Sequence, residues 1–257
     1  MGTFNEATVL SVRHWTERLF SFMTSRDPGF RFTSGQFVML GLMVDGRPLM
    51  RAYSIASSAY DPELEFFSIK VPDGALTSRL QHVRPGDKVL LGSKPTGTLV
   101  LDNLLPGRTL WLLATGTGLA PFLSIVRDME TYARYERVVL VHGVRKVREL
   151  AYADLLREEL SRHPYLGDAV RSQLRYWPLV TREPFPCSGR IPGLISSGAL
   201  EAGLGLPLLD PVHDRCMLCG SAAMLADTRA VLEGLGFAEG NMSTPGSYVI
   251  ERAFVER

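Results

Sequence analysis

The sequence predicts two domains, an N-terminal antiparallel β-barrel and a C-terminal α/β domain built on a parallel sheet, and three observations predict them. Up to residue 101 the chain runs as short alternating or β-branched segments cut by turn residues. Beyond 102–107, apolar runs of strand length alternate with helical patterns, the arrangement of a parallel sheet with crossover helices. At 257 residues the chain reaches the upper limit for one hydrophobic core, so a division into 1–102 and 103–257 also suits its length.

In the first half, strands are expected at 8–12, 19–24, 37–42, 64–71 and 88–92, with Pro-Gly at 28/29 and 85/86 and Asp-Gly at 45/46 and 73/74 as the punctuation. Helical apolar spacing replaces turn signals only at 75–82, which predicts a short helix there. In the second half, the unbroken apolar run 110–114 reads as a strand buried on both faces. Pro121 then stands in the first turn of a helix ending near Tyr135. Strand 138–141, helix 152–161, strands 175–180 and 216–219, and helix 222–235 complete the pattern.

Composition narrows the function. Hydrophobic residues are 46% and charged residues 21% of the chain, a globular balance. Lys plus Arg is 28 against 27 for Asp plus Glu, so no global field draws in nucleic acid or a membrane surface, and neither is an expected partner. Residues 1–12 lack a basic stretch followed by an apolar run, and no apolar stretch nears the roughly 20 residues that span a bilayer. A cytoplasmic protein is expected. The three cysteines, Cys187, Cys216 and Cys219, argue for a reducing compartment over a disulfide framework.

Three constellations carry chemistry. Thr115-Gly116-Thr117-Gly118-Leu119-Ala120-Pro121 joins the first α/β strand to its helix. Glycines there let the backbone approach a pyrophosphate, whose charge the helix start attracts. The run lacks the third small residue of a full G-x-G-x-x-G and the Gly-Lys-Ser/Thr of a phosphate loop, so a plain tight connection also accounts for it. The strand that ends in His142-Gly143 continues into Arg145, Lys146 and Arg148, with no acid before Glu149, and Arg182 and Arg190 follow the next strand. Arginine forks suit a 2′-phosphate, where an acid would suit free ribose hydroxyls, so this edge favours NADP over NAD; a solvated basic loop is the alternative. Arg51-Ala52-Tyr53-Ser54-Ile55-Ala56-Ser57 sets an arginine and an aromatic ring on one face of a strand, the pair needed to hold a flavin by phosphate and ring, although such neighbours also arise by chance.

The remaining candidates are weaker. Cys216 and Cys219 form a C-x-x-C, but on a strand their thiols face opposite sides, and no second ligand pair follows, so no metal is expected. Cys216 reads as core and Cys219 as a strand-end residue. His14, His82, His142, His163 and His213 have no triad-like context and read as surface or structural. Trp15, Trp111 and Trp177 read as core or rim.

Four runs in order, Arg51 to Ser54, Lys70-Val71-Pro72-Asp73-Gly74-Ala75-Leu76-Thr77-Ser78, Gly116 to Phe122, and Cys219-Gly220-Ser221, resemble the motif set of the ferredoxin-NADP reductase family, and the resemblance spans nearly the whole chain. It is nearest to the bacterial enzymes, whose tails end like Ala253-Phe254-Val255-Glu256-Arg257. The resemblance implies an FAD-binding barrel and a Rossmann-like NADP domain. It implies that Arg51 and Gly74, Ala75, Leu76, Thr77 and Ser78 bind the FAD pyrophosphate, that Tyr53 stacks on the isoalloxazine, and that Ala52, Ser54, Phe67, Lys70 and Val71 also line the flavin. Thr115, Gly116, Thr117, Gly118, Cys219, Gly220 and Ser221 would bracket the nicotinamide, and Arg145, Arg182 and Arg190 the 2′-phosphate. Ser54, Cys219 and Glu256 would stand at the reacting atoms. Plastid relatives end in a tyrosine on the flavin, whereas this chain has Phe254 with three residues beyond it, and Phe254 would cover that face.

The activity so implied is electron transfer between NADPH, as a hydride, and ferredoxin or flavodoxin, as single electrons, by a monomer. Such carriers are acidic, and Arg13, Arg47 and Lys94 are candidate docking cations. A flavin reductase with another acceptor, or a flavin-binding subunit without NADPH turnover, would share the motifs.

Overall fold

The computed structural model describes residues 4–252. In its first half, β1 (Phe4–His14), β2 (Leu19–Ser25), β3 (Phe37–Val44), β4 (Arg47–Ser54), β5 (Glu63–Ile69) and β6 (Lys88–Gly92) form a six-stranded antiparallel sheet in the order β4-β3-β6-β1-β2-β5. The sheet curls until its edges meet. Ile55 bridges Phe66 just beyond β4, and the Ala56 amide donates to the Glu65 carbonyl at 2.8 Å, which removes the open edge. Phe20, Phe22 and Phe66 fill the interior, with ring centroids 5.4 Å apart for Phe22 and Phe66.

The expected turns close this sheet for identifiable reasons. Asp45 and Gly46 both have positive φ, 50° and 73°, as a two-residue hairpin that follows the strand twist requires, and they fold β4 back onto β3. Pro85-Gly86 makes a turn in which the Asp87 amide donates to the Arg84 carbonyl and Gly86 takes φ 97°. The helix expected at 75–82 is shorter: α1 is Thr77–Leu80, held by the burial of Leu76 and Leu80 in the barrel.

In the second half, β7 (Thr109–Thr115), β8 (Arg137–Val144), β9 (Leu174–Val180), β10 (Asp214–Gly220) and β11 (Tyr248–Arg252) form a parallel sheet in the order β11-β10-β7-β8-β9. Both faces are buried. Leu110, Leu112, Ala114, Leu140 and Cys219 belong to one core, and Trp111, Leu113, Val139, Val141 and Cys216 to the other. The two thiols of the C-x-x-C therefore lie on opposite sides of the sheet, as period-two alternation demands.

Two expected helices are corrected. The helix from Pro121 to Tyr135 is two helices, α2 (Ala120–Val126) and α3 (Met129–Arg134), because Asp128 leaves helical geometry and caps α3 through the Glu130 amide at 2.9 Å. The stretch 152–161 begins with Tyr152 at φ 62° and then forms one π-helical turn, Leu155–Glu159, followed by a 3₁₀ turn, Leu160–Arg162. Short helices α4 (Gly167–Gln173), α5 (Ile191–Ser196) and α6 (Ala199–Leu204) and strand β11 were not anticipated from the sequence, and β4 begins at Arg47, ahead of the strand read from Arg51. Helix α7 (Ala222–Gly234) matches its expectation within a residue.

Candidate functional site

Strand β7 lies inside the parallel sheet, with β8 on one side and β10 on the other, so the chain reverses its direction of travel across the sheet at this strand. Ligands of open α/β sheets bind beyond the strand ends at such a reversal. Thr115 ends β7, and Gly116 follows at φ 55° in a 3₁₀ turn, Gly116–Leu119, that leads into α2. Opposite it, Cys219 and Gly220 end β10, and Ser221 caps α7 by accepting from the Met224 amide.

These two ends are joined by a backbone-to-side-chain hydrogen bond and by close packing at the glycines. The Ser221 amide donates to Thr115 Oγ1 at 3.1 Å. A Cβ on Gly118 would overlap the Cys219 carbonyl and come 2.8 Å from the Gly220 nitrogen. A Cβ on Gly220, which has φ 155°, would overlap Thr115 Oγ1. The glycines thus let the two strand ends close together between two helix starts, a narrow cradle of backbone and the Thr115 hydroxyl across which a dinucleotide can lie. Thr117 and Gly118 are buried beneath it, while Thr115 and Gly116 are half-exposed on its rim.

Below the cradle lies a residue the sequence reading assigned no special part. His142 is fully buried, with Nε2 3.1 Å from the Gly116 carbonyl and Nδ1 3.5 Å from the Tyr176 hydroxyl. A carbonyl only accepts, so Nε2 carries the proton. Burial lowers the His142 pKa to about 4, so the ring is neutral and braces the glycine turn.

Cys219 is fully buried beside Glu251, with which it pairs across β10 and β11. Burial pushes its thiol well up, and the Glu251 charge adds to this, so Cys219 is a neutral thiol. Glu251 itself is raised to about 8 by burial, against the opposing pull of the Leu99 amide. Its Oε2 is buried with no hydrogen-bond partner among the described residues, and its carboxylate oxygens lie 3.1 and 3.2 Å from where a Cβ on Gly97 would be. A buried acid with one empty acceptor, at the seam of the two sheets, is the feature the motifs missed; Glu-Arg at 251/252 carried no distinguishing signal. Glu256 and Phe254, the expected tail residues, lie outside the described residues.

The barrel side is built on β4. Arg51 is exposed, its guanidinium touching only the Met50 carbonyl at 2.8 Å among the described residues, and is available to a phosphate. Ala52 is exposed and Ser54 half-buried. Ser54 pairs with Phe37, whose ring reaches within 3.3 Å of the Gly97 Cβ position beside Glu251, so the barrel strand and the Cys219–Glu251 pair share one seam. Tyr53 shares the barrel face expected of it, but its ring is 4% exposed and packs in the barrel core, so a flavin would meet only its margin.

Phe67 is likewise buried, set edge-on against Tyr152 with centroids 5.2 Å apart, and offers no free ring to a flavin. Lys70 Nζ donates to the Thr16 carbonyl at 3.1 Å. The Gly74 amide closes a turn onto the Val71 carbonyl at 3.0 Å, and a Cβ on Gly74 would displace the Thr77 hydroxyl. Ala75 is exposed, Thr77 and Ser78 are half-buried, and the Leu76 side chain belongs to the barrel core.

Arg145, Arg182 and Arg190 gather at one sheet edge. The Arg182 amide donates to the Arg145 carbonyl at 2.9 Å, and a bridge between Val180 and Ser188 returns the chain to Arg190, the N-cap position of α5. All three are exposed, and none is in an ion pair among the described residues. The docking candidates are dispersed: Arg13 lies 3.6 Å over the Trp15 ring, Arg47 starts β4, and Lys94 follows β6.

Known proteins bear on this geometry. Residues 6–100 match the oxidoreductase FAD-binding domain model and residues 112–230 the oxidoreductase NAD-binding domain model. The ferredoxin--NADP reductase of Pseudomonas aeruginosa is 61% identical over the full length of both chains. Ferredoxin--NADP reductase A of Sorangium cellulosum is 60% identical over 98% of this chain and 90% of its own. A crystal structure of a ferredoxin NADP+ reductase from Neisseria gonorrhoeae with bound FAD and NADP superposes with a TM-score of 0.89 at 34% identity, covering 99% of this chain and all of that one. With the paired barrel and parallel sheet and the glycine cradle at the sheet reversal, these likenesses establish that the chain belongs to the ferredoxin–NADP reductase family.

Proposed function

We infer that the protein is an FAD-dependent oxidoreductase that moves electrons between NADPH and ferredoxin, with flavodoxin as an alternative carrier. The observation that carries this reading is the cradle of Gly118 and Gly220 facing the Cys219–Glu251 pair at the seam with the flavin-side strand β4. Bound FAD supplies the conversion of a two-electron hydride into single electrons.

The chain's own residues bind, orient and exclude water. Arg51 and the turn Gly74 to Ser78 are proposed to hold the FAD pyrophosphate, with Tyr53, Ala52, Ser54, Lys70 and Val71 around the ring system. Arg145, Arg182 and Arg190 anchor the 2′-phosphate of NADPH as planar forks and favour it over NADH. The Thr115–Gly118 turn and Cys219-Gly220 present the nicotinamide site, because Gly118 and Gly220 let the two strand ends close on each other at the point the nicotinamide must cross. Buried neutral Cys219 and His142 keep that place dry and uncharged, and protonated Glu251 has a proton to give at Oε2, which has no partner among the described residues. Orientation is most of the catalysis in such a site.

The two sheets support a division into an FAD-binding unit, 1–102, and an NADP-binding unit, 103–257. We further propose a cytoplasmic monomer; no helix among the described residues is long and apolar enough to cross a membrane. The test is stoichiometric: under anaerobic conditions one NADPH should reduce two ferredoxins. NADPH oxidation without ferredoxin reduction would contradict the carrier assignment.

A further inference from the structure

Outside the cradle, one cluster at the junction of the two sheets has no part in the reading above. Tyr152 is a buried, β-carbon-bearing residue held at φ 62°, a conformation such residues rarely adopt unless their surroundings enforce it. Its hydroxyl donates to Glu65 Oε1 at 2.8 Å, and Glu65 lies on β5 of the barrel. The other carboxylate oxygen of Glu65 accepts from Arg127 Nη1 at 2.8 Å, at the end of α2. The same nitrogen reaches the Ala56 carbonyl at 3.2 Å. Around this core the Tyr152 ring meets Trp15 at 4.5 Å and Phe67 at 5.2 Å, both from the barrel half.

One barrel carboxylate thus takes a tyrosine from the segment after β8 and an arginine from the end of the glycine-turn helix. Glu65 is also where the barrel closes, since its carbonyl accepts the Ala56 amide directly after the Arg51–Ser54 run. The clamp therefore ties the strand on the flavin side to the helix that begins at the nicotinamide cradle. Both ion-pair partners are mostly buried, with side chains 16% and 14% exposed, so the pair is held in fixed geometry rather than loosely in solvent.

We propose that Tyr152, Glu65 and Arg127 form an interdomain clamp that sets the separation and angle between the nicotinamide cradle and the flavin-side strand, making Tyr152 and Glu65 positioning residues for hydride transfer. The inference rests on the oxidoreductase reading.

The test uses FAD-loaded protein carrying Tyr152→Phe, Glu65→Gln, or both; each substitution keeps the ring or the side-chain shape. Stopped-flow reduction by NADPH should slow about tenfold per bound FAD, with KM for NADPH changed less than about twofold. The double variant should be no slower than the worse single variant, because the two residues act as one unit. Hydrogen exchange on the loaded protein without NADPH reads the clamp independently of activity: segments 63–67 and 150–156 should exchange faster in the variants, while segments remote from the clamp keep their wild-type exchange. Faster exchange in a protein whose wild type is not reduced by NADPH would uphold the clamp and sink the oxidoreductase reading. Reduction rates per FAD within about twofold of wild type, or exchange unchanged at both segments, would overturn the positioning role.

Discussion

Gly118 and Cys219 approach so closely that a Cβ on the glycine would fall within the cysteine's carbonyl group. Two sheet strands are thereby pinned at the point where a dinucleotide must cross them. Gly118→Ala forces backbone, not a flexible side chain, to move. It should destabilise the fold by about 2 kcal/mol, or a thermal midpoint lower by roughly 4–8 °C, and raise KM for NADPH. Thermal melts with steady-state kinetics check both; wild-type values would contradict the cradle.

The arginine edge predicts a specificity change. Arg145→Ala and Arg182→Ala should each raise KM for NADPH about tenfold or more and leave NADH kinetics nearly unchanged, because a charge-assisted phosphate contact is lost and nothing toward a 2′-hydroxyl is. The ratio of kcat/KM for the two nucleotides measures this. An equal loss with both would mean that these arginines act on the fold.

His142 predicts a slope in acid. Its folded pKa, about 4, lies below the ordinary 6.5. The unfolded chain therefore binds a proton first as pH falls, and the stability present above 6.5 is lost between 6.5 and 4. His142→Phe should lack that slope and loosen the Gly116 turn. Denaturant titrations from pH 7 to 4 would show it, and parallel curves for the two proteins would refute it.

Glu251 predicts the opposite slope. Its carboxyl, at about 8, is raised from 4.5. Below 4.5 both states are protonated; between 4.5 and 8 only the unfolded chain ionises, so stability falls as pH rises and is lowest above 8. Glu251→Gln keeps an acceptor for the Leu99 amide and removes the proton. The variant should equal wild type near pH 4 and exceed it in stability at pH 8, by a margin on the order of a few kcal/mol. Identical pH profiles would show Glu251 ionised and solvated.

Local chemistry was legible where one rule governs a residue. The Asp45-Gly46 hairpin, the alternation that parts Cys216 from Cys219, and the strand-turn-helix at Thr115 to Pro121 follow from φ preferences and periodicity, and they located both sheets and the cradle. What escaped depends on tertiary context. Asp128 stops α2 because it can also accept from Ser34 Oγ of the barrel at 2.7 Å, a contact 94 residues away. Tyr152 takes a left-handed φ where Glu65 and two rings from the barrel hold its side chain. Tyr53 shows a pattern that suits flavin stacking, and Phe67 is expected beside the flavin by resemblance alone, yet the closed barrel and the interdomain junction bury them. Glu251 lies in the unremarkable strand β11, and its significance appears only once β10 sets Cys219 beside it and Gly97 faces it.

The central claim is that this cradle presents NADPH, selected by its phosphate, to a flavin on the barrel. The most direct measurement is the anaerobic visible spectrum of the FAD-loaded protein, recorded on addition of NADPH and, separately, of NADH. The account predicts flavin bands that bleach at far lower NADPH than NADH. A protein that takes up no FAD, or flavin that neither nucleotide bleaches, would contradict it.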